Sequence, residues 1–154
     1  MLKLFKKGDS QGFTLIELLI VIGIIAILAA IVIVAINPAR QLAQARNATR
    51  QSSVNTILNA VTQNIAENGS FVCAAGAIPA VATNMSSDVG DYNICDCIVP
   101  TYVAEMPFDP SIGDYTSCAD YNTAYTILLT AENRVTIAVP EANQELGQPI
   151  SVTR

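Results

Sequence analysis

Histidine is absent from all 154 residues. Without imidazole the chain has no Ser-His or Cys-His nucleophile, no histidine proton shuttle and none of the common zinc sites, so an enzyme here would lack the most frequent catalytic base. Aromatic residues are also scarce, at 6% against 51% apolar residues overall, and the length suffices for one core but not two. Basic residues are few and badly distributed. Lys3, Lys6 and Lys7 come early, Arg40, Arg46 and Arg50 follow, and from Gln51 onward only Arg134 and Arg154 are cationic, although the net charge of the whole chain is only -5. The acidic part beyond Arg50 repels phosphate backbones, which disfavours nucleic-acid binding by that part alone. Its charge reads as a solvated surface.

What the sequence has instead is one long apolar run. Residues 13–36 read FTLIELLIVIGIIAILAAIVIVAI, about 24 residues or roughly 36 Å of helix, enough to span a bilayer. Every face is apolar, as expected of a segment that meets lipid or other apolar helices all round. A cleaved secretory signal is the competing reading, with Ala29 and Ala30 as its small-residue site. The run continues through Ile31 to Val34, too long for the apolar region of such a signal. Inside the run sits Glu17. A lone carboxylate there costs on the order of 3 kcal/mol on a translocon scale, and no Lys, Arg or His lies in the run to neutralise it. A cation has to come from another chain or from a new amino terminus nearby, unless the carboxyl reaches the interface or is protonated.

The stretch KKGDSQGFTLIELLIVIGIIAILA resembles the prepilin motif shared by type IV pilins and type II secretion pseudopilins. A basic leader ends at Gly12, Phe13 becomes the first residue, and Thr14, Leu15, Ile16 and Glu17 lead the apolar helix. The resemblance implies leader cleavage between Gly12 and Phe13 by a prepilin peptidase, N-methylation of Phe13, and an inner-membrane assembly platform. It also implies a homopolymer in which Glu17 meets the Phe13 amine of a neighbour. Charge alone does not orient the membrane segment, because three lysines face three arginines across it. Leader cleavage requires a cytoplasmic N-terminus, which makes the precursor a single-pass inner-membrane protein and the product an extracellular or periplasmic filament.

Beyond the run, Pro38 disfavours helical geometry at Asn37 and predicts a kink or a short melted stretch. Leu42 and Ala45 begin a narrow apolar stripe, and Val54, Ile57, Leu58, Val61 and Ile65 continue it at helical spacing as far as the stop at Asn68-Gly69. Phe71 to Val89 reads as a loop, with a short helix or strand in Tyr92 to Val99. Tyr102 to Pro110 reads as a turn-rich crossing. Tyr121 to Thr130 and Arg134 to Val139 form a hairpin with Tyr125, Ile127 and Leu129 on the core face, and another strand comes from the tail or the Tyr115 region. Residues from Glu141 on read as irregular. The fold class expected is α+β, a pilin fold with a long N-terminal helix on a small antiparallel sheet. Its divisions are a leader (1–12), a membrane and filament-core helix (13–36), an amphipathic continuation (37–68) and a globular head (69–154).

The four cysteines, Cys73, Cys95, Cys97 and Cys118, fall in the exported region and predict two disulfides rather than a metal or redox site. A Cys95–Cys97 bond would be strained, so these two are expected to pair separately with Cys73 and Cys118 in either order. Three triplets, at Asn47, Asn68 and Asn84, fit the glycosylation sequon. No cofactor is expected apart from a weak calcium option at Asp109, Asp114 and Asp120, suggested by the pseudopilin resemblance; the spacing is not that of an EF-hand, and an ordinary acidic loop is the favoured reading. Pro107 to Pro110 is similar to a Pro-x-Asp-Pro stretch of pseudopilins, though the Trp-Gly that often follows is missing. The functional expectation is a non-enzymatic subunit of a type IV pilus-like filament. Its alternatives are a type II secretion pseudopilin and, less favoured because of Glu17, a solitary membrane-tethered binding module.

Overall fold

Helix α1 (Leu15–Ile36) consists of apolar side chains with a single carboxylate, and none of its residues is buried within the chain. By length and composition it can cross a membrane. These observations come from a computed structural model, which describes residues 12–140 and 145–154. The expected leader apart from Gly12, with Lys3, Lys6 and Lys7, lies outside the described residues, as does Glu141. The chain divides into two compact units, residues 1–38 and 39–154.

α1 ends at Asn37, whose backbone is left-handed at φ 46°, and α2 (Pro38–Asn68) starts at the next residue. The cause is local. The proline ring pushes its predecessor out of the right-handed helical region, while its own fixed φ and missing N–H suit the first position of a new helix. The irregularity predicted at Pro38 is therefore a one-residue interruption. At its other end α2 closes on Gly69, at φ 76°, whose N–H donates to the Ile65 carbonyl at 2.8 Å.

The second unit packs the later turns of α2 on an antiparallel sheet. The strands are β1 (Thr83–Ser86), β2 (Asp114–Ser117), β3 (Asp120–Leu129), β4 (Val135–Val139) and β5 (Ile150–Thr153), in the order β1-β3-β4-β5, with β2 also paired to β3. Val54, Ile57, Leu58 and Val61 of α2 are fully buried, and they share the core with Tyr125, Ile127 and Ile137 of the sheet. A short helix α3 (Cys95–Ile98) adds Ile94 and Ile98 from its flank and end. The hairpin register sets Ile127 opposite Ile137 and Leu129 opposite Val135, so the apolar faces coincide. Cys73 is bonded to Cys97 and Cys95 to Cys118, which ties the segment after α2 and the end of β2 to α3.

Three expectations need correction. Residues 83–86 are a strand, not loop, because they pair with β3 and turn Met85 into the core. The tail is not irregular throughout, since β5 pairs with β4 and Val135 exchanges backbone bonds with Arg154. The early α2 stripe does not run through Leu42, which is 60% exposed; Ala43 is the buried residue, and the inward row Ala43, Arg50, Ile57, Asn64 repeats every seven positions.

Burial pushes the phenols of Tyr92, Tyr121 and Tyr125 up to about 12. The Tyr125 hydroxyl faces Ser53 without completing a hydrogen bond. An unfolded tyrosine ionises near pH 10, so the native state holds more protons between about pH 10 and 12. The contribution to stability is intact below pH 10 and declines as pH rises towards 12. The urea midpoint of the detergent-solubilised chain is expected to be steady from about pH 8 to 9.5 and to drop above about pH 10; a flat midpoint across the higher range would contradict this burial.

Candidate assembly site

Thr14 is the N-cap of α1, and its extended backbone leaves the side chain free to turn back on the first helical turn. Its hydroxyl accepts a hydrogen bond from the Glu17 N–H at 3.2 Å. In return Glu17 Oε2 accepts from the Thr14 N–H at 2.9 Å and from the Thr14 hydroxyl at 2.8 Å. This reciprocal pair is a capping box, which satisfies two otherwise orphaned donors at a helix start. It also answers part of the problem posed by the carboxylate. Glu17 sits at the positive end of the helix dipole and has donors from its own chain, while among the described residues no cation pairs with its charge. Phe13 is 83% exposed immediately before this cap. One turn of helix thus presents the expected new N-terminus, the capping threonine and the carboxylate together.

The sequence around this turn matches the prokaryotic N-terminal methylation motif over residues 7–33. That motif supports the resemblance of the chain's N-terminal segment to type IV pilins and pseudopilins. No curated protein and no solved structure matches it. As a pilin-like precursor it carries an apolar N-terminal helix on an α+β chain, and the motif points to a structural subunit that assembles with other pilin subunits and is processed by a prepilin peptidase. The reading of the residues picked out Phe13 and Glu17 but passed over Thr14. The signal was available, because Thr14-x-x-Glu17 before an apolar run is itself a capping-box pattern.

The head of this pilin-like chain holds a second polar constellation. Arg50, on the buried row of α2, is 1% exposed, and Asp109 is fully buried. Arg50 Nε donates to Asp109 Oδ2 at 2.7 Å and Nη2 to Oδ1 at 3.3 Å, a two-pronged ion pair. Nη1 donates to Asn47 Oδ1 and Nη2 also to the Ser111 hydroxyl. The hydrogen bond with Asp109 raises the guanidinium above its ordinary range, against the desolvation that lowers it. Glu145 joins from the far side, with Arg46 Nε donating to its Oε1 at 2.6 Å. The turn that carries Asp109 is wound tightly. Ser111 N–H caps Oδ1 at 2.8 Å, Gly113 N–H donates to the Asp109 carbonyl at 2.9 Å, and a Cβ at Gly113 would lie 2.6 Å from the Asp109 nitrogen. Only glycine fits that approach.

This geometry reassigns the expected calcium residues. Asp109 is held by a guanidinium, Asp120 Oδ2 accepts from the Thr116 hydroxyl, and Asp114 is exposed at the start of β2. Among the described residues no group of three or more His, Cys, Asp or Glu side chains is gathered as a metal site. The sequon asparagines also differ. Asn47 and Asn84 spend their amides on Glu145, Asp91 and Asn122, and Asn68, exposed at the end of α2, donates its amide to the Asn64 carbonyl at 2.9 Å.

Asp109→Asn leaves Arg50 charged and buried without its counter-ion, which is expected to cost about 3 to 5 kcal/mol. Replacing both, Arg50→Met with Asp109→Leu, is expected to recover most of that loss. Urea unfolding of the full chain in detergent measures both; equal stability of Asp109→Asn and the parent would contradict the pairing.

Proposed function

We propose that the chain is the structural subunit of a type IV pilus-like filament, inserted as a precursor through α1, cleaved between Gly12 and Phe13, methylated on Phe13, and polymerised through the same helix. The observation that carries this reading is the lone carboxylate of Glu17, set one turn from Phe13 in a helix with no other charge and no buried residue. Before processing, Phe13 N is a peptide amide, and among the described residues the donors to Glu17 come from Thr14. Cleavage turns Phe13 N into a cation. In the filament that amine, on a neighbouring copy, becomes the counter-ion, so the membrane helix leaves lipid only when a second copy is correctly placed.

In such a site the ion pair selects register more than it adds stability, because a subunit that docks out of place keeps an unpaired charge in a medium of low dielectric. The precursor then crosses the inner membrane once with its N-terminus in the cytoplasm, and the head lies outside, where its two disulfides are stable. A pseudopilin of a type II secretion system is the second reading. It is favoured by the Pro107 to Pro110 crossing, whose Asp109 anchors the turn to α2 through Arg50.

Two measurements test the proposal. The purified mature chain is expected to have the mass of residues 13–154 plus one N-terminal methyl group; an intact leader contradicts it. Glu17→Val is expected to insert and be processed normally but to lower filament yield about tenfold or more. Normal yield from that variant would remove Glu17 from the assembly role.

A further inference from the structure

The head carries an apolar knob at one end of β3 and an apolar hole at the other. The knob is the turn Asp88-Val89-Gly90-Asp91, which follows β1. It is closed by the Asp91 N–H donating to the Asp88 carbonyl at 3.2 Å, with Gly90 at φ 100°, the third position of a tight turn that favours glycine. Val89 stands fully exposed at its tip. The turn is pinned from both sides, because Asp91 Oδ2 accepts from Asn84 and Ser86, and Ser87 N–H donates to the Tyr121 carbonyl at the start of β3. An exposed valine on a rigid turn between two aspartates is a prepared contact.

The hole is a cavity of about 400 Å³ where the last turn of α2 meets the end of β3 and the start of β4. Ile65, Phe71, Ile78, Leu129 and Val135 form its apolar wall, and Asn133 and Ser70 stand among its lining residues. Beside it lie the only two cations beyond Arg50. The sheet brings them together, since Arg154 pairs with Val135, the neighbour of Arg134, and Arg134 Nη2 donates to the Thr153 carbonyl at 3.4 Å. Both are exposed, and among the described residues neither forms a salt bridge; Glu132, on the same turn, is likewise exposed.

The ten residues of β3 separate knob from hole by roughly 30 Å, several Debye lengths at physiological salt, so a head cannot fill its own cavity or neutralise its own poles. We infer that the Asp88–Asp91 turn of one copy docks in the cavity beside Arg134 and Arg154 of the next, with Val89 in the apolar wall and the aspartates towards the arginines. The two surfaces are different and lie at opposite ends of one sheet, so the contact is head-to-tail and does not close on itself; such contacts propagate as open filaments. Charge complementarity sets its direction, because cationic ends repel one another and acidic ends do likewise. The inference rests on the filament reading and adds a contact made by the heads.

The test uses the full chain in its own membrane. All four native cysteines are in disulfides, so introduced thiols are the targets of a short bismaleimide. Val89→Cys combined with Ser70→Cys in one chain is expected to give a ladder of covalent oligomers from filaments, and each single variant is expected to give none. Dimers from Val89→Cys alone would mean a symmetric turn-to-turn contact and overturn the inference. Filaments that form without any ladder overturn it too, while leaving the filament reading intact; failure of the parent chain itself to form filaments overturns both. As an independent check of charge, Arg134→Glu is expected to lower filament yield several-fold and the added change Asp88→Arg to restore it. Unchanged yield in Arg134→Glu would contradict the pairing.

Discussion

A helix of 22 residues that buries none of its side chains within its own chain has to be covered by something. Lipid covers it at no cost to the apolar residues but at a cost to Glu17, and other copies of the helix cover it equally well if they bring a cation. On the proposed reading this difference is the basis of assembly. The apolar residues make the two environments nearly equivalent, and the carboxylate decides between them. The capping box on Thr14 lets the carboxylate wait, since it supplies hydrogen-bond donors but no cation.

The head is organised around a different buried charge. Arg50 and Asp109 satisfy one another inside the protein, together with Asn47 and Ser111, and their effect is to fix the Pro107–Gly113 turn against α2. Disulfides do comparable work at α3, where Cys95 and Cys97 hold the segments around Cys118 and Cys73. A small sheet with short outer strands is thereby braced along its loops, which are also its exposed surfaces. Glu145 extends the charge cluster to the segment that leads into β5.

Much of this was legible in the residues. The apolar run is long enough to cross a membrane, and its length speaks against a secretory signal; the β3–β4 hairpin announced itself by alternation on both arms. The amphipathic face of α2 was readable from Val54 onward, where apolar side chains mark it. Before Val54 the same face continues through Arg50 and Ala43, and an arginine on a helix is ordinarily read as solvated; only the seven-residue spacing to Ile57 and Asn64 hinted otherwise. β1 was missed, and β5 was left as one of two places for a further strand, because each is four residues long and owes its conformation to a partner far away in sequence. The acidic residues at Asp109, Asp114 and Asp120 were grouped by nearness in sequence, whereas Asp109 turns inward to a guanidinium and the other two remain near the surface.

The central claim is that the carboxylate of one copy meets the processed N-terminus of another. Solid-state NMR on filaments grown from an equal mixture of two preparations, one labelled with nitrogen-15 at Phe13 and the other with carbon-13 at Glu17, measures that contact directly. The account predicts a through-space correlation between the Phe13 amine and the Glu17 carboxyl carbon, which in such a mixture arises only between different chains. Well-ordered filaments with no such correlation would contradict it.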